Sequence, residues 1–355
     1  MRKTRRLLAI VLCAVFLLGV LSGCGSQQQS SEPTVTEKTI VDMADVEVKV
    51  PGEVKTVVNL WPSSNELMLC LGAGDYLVGT MDFVKHLPWV NAVYPKIKDV
   101  PAMEVNAEEL LEVDPDLIIT ANADDAAMLR EAGLCAVTLM FNDYDSMEKA
   151  TLILGDILGG EHEEKADELV EYLDSNIANV ENALKDLKEE DKPVVYYIQG
   201  QANQGLYSTT GGGTIMEQWV TYGGGKFATA DIGKGMQLKD ITPEQILNIN
   251  PDIVVIGGPA QHELYEEIYA APEWKDIKAV KNEKVYIIPN GCFPWDRFGG
   301  ESSMQILWAA KTFHPDLIDV DMVKEVKDFY KKFVGYDMTD EEATNMLTGK
   351  GPKGE

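Results

Sequence analysis

Histidine is scarce in this chain: four residues among 355, at 86, 162, 262 and 314, and no two of them stand at metal-ligand spacing. A single imidazole does not select a transition metal, so no dedicated metal centre is expected, although His86 lies in a plausible cleft loop. His162 and His314 read as surface residues. Cysteine supplies no framework either, since of five only Cys70, Cys135 and Cys292 lie beyond the N-terminal segment, an odd number. Cys70 and Cys135 sit in apolar contexts and read as small core residues, while Cys292 lacks the neighbouring His or thiol that a metal site needs. There is no Ser-His-Asp constellation and no cluster-binding thiol set, which removes the usual bases for an enzyme. The glycine runs at 211–213 and 223–225 lack the Lys-Ser/Thr ending of a phosphate loop. Basic residues are the last shortage, 31 against 58 acidic ones for a net charge of −27. A surface of that sign repels phosphate backbones, so nucleic acid is excluded as a partner.

What is present begins at the N-terminus. Arg2, Lys3, Arg5 and Arg6 precede the apolar run Leu7–Leu21, which ends in Leu21-Ser22-Gly23-Cys24. A basic start and a run too short for a comfortable membrane span describe an export signal, residues 1–23. The small residues before Cys24 resemble a bacterial lipobox, so Cys24 is the expected lipidation site and the membrane an expected partner through that anchor. Residues 24–45 are polar and read as a flexible tether.

Beyond the tether, β-branched runs alternate with helical patterns, the signature of parallel sheets flanked by helices. This occurs twice. The expected fold is α/β, two Rossmann-like lobes at 46–160 and 192–335, joined by one long helix at 161–191 and followed by a short helix and frayed tail at 336–355. In the joining segment, apolar residues from Ala166 to Leu187 keep helical spacing, and about 28 residues make a rod roughly 42 Å long. Ser63 and Glu66 have capping-box spacing at the start of the first helix.

Residues 106–120, NAEELLEVDPDLIIT, and 242–256, TPEQILNINPDIVVI, repeat one pattern 136 positions apart. In each a polar cap (Asn106, Thr242) stands three places before Glu109 or Gln245, then a short apolar helix, a Pro-Asp and a buried strand follow. Glu108 and Glu244 fall at the second helical position. There the helix dipole favours a carboxylate by about 0.3 to 1 kcal/mol, which is one account of them. The other is a matched pair of acidic pegs, one per lobe, for a partner with positive sockets.

Ligands of open parallel sheets bind beyond the C-terminal strand ends. Those ends offer Trp61, Ser63, Met81, Phe83, Met103, Asn122, Gln199 and Met236, together with Trp295 and Arg297 in the loop NGCFPWDRFGG and, less directly, the loop residue Tyr207. The aromatic and sulfur content suits a large, partly apolar ligand such as a metal chelate or macrocycle. Arg297 is placed to pair with a ligand carboxylate or catecholate, or else with Asp296, Glu301 or the opposite lobe. Trp219 reads as core.

The Leu-Ser-Gly-Cys signal, the opening VKTVVNLWPSSNELMLCLGAGDYLVG, the two repeated units, the rod and the closing FPWDRFGGESSMQILWAAKTFHPDLI together resemble the substrate-binding components of ABC importers for ferric siderophores, haem and cobalamin. The resemblance covers roughly residues 54–333. It implies a monomer with ligand held between two lobes, no cofactor, an ABC permease and its ATPase as partners, and docking of Glu108 and Glu244 on permease arginines. An oxyanion receptor of the same fold, for molybdate or tungstate, and an enzyme of chelatase or redox type are the alternatives.

Overall fold

The computed structural model describes residues 36–201, 205–238, 241–297 and 299–355. The export signal, Cys24 and most of the tether lie outside the described residues. The repeated pattern shows how the architecture is built. Helices Ala107–Val113 and Pro243–Ile249 each bury one central side chain completely, Leu110 and Ile246. Such an anchor contributes about 1.5 to 3 kcal/mol. Each helix stops on a left-handed residue, Asp114 at φ 48° and Asn250 at φ 49°, and a proline then commits the chain to an extended path.

The Pro-Asp carboxylate has a part that spacing did not reveal. Asp116 Oδ2 accepts the backbone N–H of Lys55 at 2.8 Å and of Thr56 at 2.9 Å, and Asp252 Oδ2 accepts that of Val194 at 3.0 Å. Each aspartate thus ties the entry of the third strand of its lobe to the entry of the first. Thr242 and Gln245 complete the reciprocal capping box, whereas the Asn106 side chain caps only Glu108 N.

The first lobe holds β3 (Val57–Asn59), β4 (Leu77–Thr80), β5 (Leu117–Thr120) and β6 (Ala136–Thr138). The second holds β7 (Val194–Ile198), β8 (Lys226–Phe227), β9 (Ile253–Ile256) and β10 (Val285–Ile287). Both sheets are parallel, with orders β4-β3-β5-β6 and β8-β7-β9-β10, so the same topology occurs twice. Covered on both faces, β5 and β9 are buried at every position. An antiparallel hairpin of β1 (Glu37–Val41) and β2 (Glu47–Pro51) precedes them. It occupies part of the stretch whose polarity suggested a tether, because Ile40, Val48 and Val50 find cover in the first lobe's core.

The joining helix runs Glu161–Leu184, 24 residues or about 36 Å, shorter than its apolar spacing suggested. Leu184 reaches Gly224 of the second lobe, and past it the chain makes only one 3-10 turn before Pro193. Its buried stripe is His162, Ala166, Leu169, Leu173, Asn176 and Val180, alternating steps of four and three. His162 is therefore no surface residue. Its Nδ1 donates to Leu71 O at 2.8 Å and its ring stands edge-on to Tyr76. His314 is buried likewise, with Nε2 3.1 Å from Gly224 O.

The rod does not act alone. One apolar core runs without interruption through both lobes, from Val57 and Leu117 past Leu169 and Leu173 to Val195 and Ile253. Polar contacts sew the seam. Glu66, in helix Pro62–Cys70, is buried and accepts the N–H of Gly300 at 2.7 Å and of Glu301 at 3.0 Å, at the entry to helix Ser302–Phe313 of the other lobe. Glu66 does not close the capping box that its spacing from Ser63 suggested, since Trp61 is the cap and carries no side-chain bond. Glu301, also buried, accepts the N–H of Cys292 at 3.0 Å and of Phe293 at 3.2 Å, and the hydroxyl of Tyr330. Tyr144 donates its hydroxyl to Ser302 O at 3.2 Å, and Asn176 Nδ2 donates to Ser303 O at 3.0 Å.

Burial pushes the Glu66 carboxyl up to about 7 against its backbone donors, and burial plus the neighbouring Glu66 pushes Glu301 up to about 8. The native state therefore holds these protons more tightly than the unfolded chain, so their contribution to stability is fullest below the ordinary carboxylate range. It declines as pH rises from the ordinary carboxylate range and is lost once pH has passed about 7 and about 8, the slope being up to about 1.4 kcal/mol per pH unit for each proton. Denaturant titrations at a series of pH values should show this decline, and Glu66→Gln, which cannot ionise, should flatten it. An equal slope in both proteins would remove Glu66 from the account.

Candidate functional site

Between the lobes lies a cleft of about 420 Å³. Pro62, Phe83 and Leu87 form the first lobe's wall, and Pro259, Phe293 and Pro294 the apolar part of the second's. Three amides, Gln201, Gln261 and Asn290, and the Arg297 guanidinium supply the polar groups. Pro62, Gln201, Gly258 and Asn290 follow β3, β7, β9 and β10, so the site sits where parallel sheets present ligands. Apolar walls with a few orienting polar groups are the usual composition of a small-molecule site.

Arg297 is held from behind. Its Nε lies 3.8 Å from Oδ1 of the fully buried Asp296, and Tyr197 donates its hydroxyl to Asp296 Oδ2 at 2.5 Å. Burial pushes the Asp296 carboxyl up, opposed by Arg297 and Tyr197. This network closes only because residue 257 is glycine, where a Cβ would stand 2.1 Å from Asp296 Oδ2.

A second, larger groove of about 780 Å³ lies on the first lobe alone. Met81, Phe83, Met103 and Val105 line it together with the carboxylates of Asp82, Glu104 and Glu109. Phe83, 55% exposed, borders both cavities.

The residues singled out at strand ends therefore separate. Phe83 and Arg297 line the cleft, and Met81 and Met103 line the neighbouring groove. Trp295 is fully buried and Ser63 nearly so, so neither presents surface to a ligand as the cleft stands. Trp61 is half-buried and stands edge-on to Phe141 at 4.6 Å. Asn122 caps helix Ala123–Glu131, accepting from Asp124 N at 2.8 Å. Tyr207 packs on a core cluster of the second lobe, away from the residues that line the cleft, its hydroxyl taking Trp274 Nε1 and giving to Glu273, each at 3.3 Å. Met236 packs on the core, and Gln199 is buried with an unpartnered Oε1 two residues short of the lining Gln201. Glu108 and Glu244 are both exposed. His86 pairs with Asp82 at 3.4 Å on the surface, and among the described residues no group of three His, Cys, Asp or Glu is arranged to hold a metal ion.

Sequence reasoning missed Leu87, Gln201 and Gln261, did not single out Asn290 within the loop NGCFPWDRFGG, and missed what braces Gln261 and Asn290. The tail after helix Asp340–Leu347 is not frayed but crosses both lobes. Trp89 of the first lobe donates Nε1 to Lys350 O at 2.9 Å, while His262 Nε2 at 3.0 Å and Gln261 Nε2 at 3.3 Å of the second meet Gly349 O. Asn290 N donates to Met346 O at 3.1 Å. Gly349 has φ 70°, and a Cβ there would stand 2.4 Å from Gln261 Nε2.

Residues 57–291 match the family model described as periplasmic binding protein. The chain belongs to that family. Among curated relatives, the binding protein is similar to the uncharacterized ABC transporter substrate-binding lipoprotein YvrC of Bacillus subtilis, 30% identical over 78% of this chain and 87% of that one. It is also similar to the molybdate-binding protein MolA of Haemophilus influenzae, 24% identical over 84% and 91%, and to the iron(3+)-hydroxamate-binding protein YxeB of B. subtilis, 22% identical over 86% and 96%. A periplasmic solute binding protein from Veillonella parvula shares the fold, with a TM-score of 0.77 at 23% identity over 88% of this chain and 97% of that one. The two-lobed α/β architecture is thus that of the ABC importers' binding components. In this binding protein, deleting residues 348–355 leaves the buried Trp89 and Gln261 donors without acceptors, and should lower Tm by about 5 °C or more. Thermal unfolding checks this; an unchanged Tm would show that the strap is ornamental.

Proposed function

We propose that this chain is the lipid-anchored, extracytoplasmic binding component of an ABC importer, which captures a metal chelate and hands it to the permease. The ferric complex of a siderophore is the first candidate cargo, and a corrinoid or haem the next. The observation that carries this reading is the interlobe cleft, whose apolar walls and four polar groups suit a chelate's organic shell. A relative named for iron(3+)-hydroxamate binding supports the same class. Anchoring at Cys24 follows from the lipobox and agrees with a relative named as a lipoprotein.

Delivery rests on Glu108 and Glu244. They occupy equivalent places in the repeated unit, both are solvent-exposed, and each stands in the first turn of its helix, where nothing in the fold requires an acid. Two carboxylates on two lobes give a permease with matching cations both steering and register.

The molybdate-binding relative favours a second reading, a tetrahedral oxyanion receptor. Against it, the helix that opens at the cleft offers Pro62 at its first position, a residue with no N–H to donate. Mass spectrometry of the ligand co-purified from the native host separates the two, with a chelate or corrin supporting the first and a bare oxyanion overturning it. The double variant Glu108→Lys/Glu244→Lys should abolish ligand uptake by cells while leaving affinity in solution within about twofold. Uptake that survives the double change removes the docking assignment.

A further inference from the structure

The charge inventory of the cleft is short. Among its described lining residues Arg297 is the one ionisable group. Behind it, Asp296 is wholly buried, 3.8 Å from the guanidinium and bonded by Tyr197. With Asp296 ionised the pair sums to zero, and with it protonated the cleft carries a single positive charge. The groove that shares Phe83 with the cleft adds the carboxylates of Asp82, Glu104 and Glu109 and no cation among its described lining. Charges within about 8 Å of one another, the Debye length at physiological salt, are not fully screened. A buried charge is tolerated only when paired, and this site has one partner to give at most.

From this we infer that the cargo is a chelate of low net charge, neutral or singly anionic. Its apolar shell meets Phe83, Leu87 and Phe293, one oxygen takes Arg297, and amide or hydroxyl groups meet Gln201, Gln261 and Asn290. The inference rests on the chelate reading above and narrows it. Neutral ferric trihydroxamates and corrinoids belong to the class. Ferric tris-catecholates, with three negative charges, do not, nor do polyanionic ferric citrates.

The test is a set of fluorescence titrations on the full chain purified in detergent, with a neutral ferric trihydroxamate, cyanocobalamin, a trianionic ferric tris-catecholate and molybdate as probes. At least one neutral probe should bind about 100-fold or more tightly than the tris-catecholate, because an uncompensated like-charged environment costs several kcal/mol. A tris-catecholate that binds as tightly as the better neutral probe overturns the charge inference and leaves the chelate reading standing. Molybdate binding with no chelate or corrinoid bound overturns the chelate reading itself. In Asp296→Asn the Arg297 charge is no longer offset, so affinity for the tris-catecholate should rise about tenfold relative to the neutral probe. An unchanged ratio in a variant with native circular dichroism shows Asp296 to be protonated already, and the wild-type ratio decides the matter then, as it does if the variant does not fold.

Discussion

The Glu66 carboxylate reaches from one lobe into the other, and the rest of the molecule is arranged around that contact. It takes two backbone N–H groups at the entry to helix Ser302–Phe313, where the dipole of the helix favours negative charge and no side chain of its own lobe serves. Swinging the lobes apart would strip a buried acid of both backbone donors, leaving it only the Cys70 thiol, and split an apolar core that is continuous across the seam. The cleft is therefore shaped before ligand arrives. Stiffness comes from helices Tyr144–Leu158 and Ser302–Phe313, each packed on Glu161–Leu184, rather than from an isolated rod.

The duplicated architecture was legible in the sequence because its determinants are local. A polar cap, one buried aliphatic residue, a left-handed stop and a Pro-Asp recur within fifteen residues, and both copies fold to the same helix-turn-strand. The strand order repeats with them. Even here the spacing concealed a long-range part, since Asp116 and Asp252 bond strands about sixty residues earlier in the chain. The hairpin ahead of β3 escaped notice because its apolar residues are few and find cover only in a surface made by later parts of the chain.

The binding residues were harder, for a physical reason. Strand ends locate a cleft to within a few residues, but which side chain faces it depends on packing decided elsewhere. Trp295 and Arg297 are two apart in one loop, yet the tryptophan turns wholly inward and the arginine lines the cleft, because Asp296 between them is buried against Tyr197. Gln199 and Gln201 divide the same way across Gly200. Aromatic content drew attention to Trp61 and Tyr207, which are taken up by Phe141 and by Trp274 with Glu273. The lining amides carried no such signal, since glutamine and asparagine are common in loops.

Seen from outside, an acidic protein with one arginine among the described residues of its cleft presents two electrostatic faces with different work. Exposed carboxylates act at long range and add to the field that a cationic partner meets, so they suit encounter with another protein. Arg297 lines the cleft with the buried Asp296 at its back, so its influence falls chiefly on a group in direct contact. Under the function proposed above, that division lets the same strongly negative chain attract a permease without drawing cations into the ligand site. On the same reading the site is built mainly from shape: with little net charge for recognition, selectivity falls to the proline and phenylalanine walls and to three amides, Gln261 being braced by the tail that crosses both lobes and the Asn290 backbone by helix Asp340–Leu347.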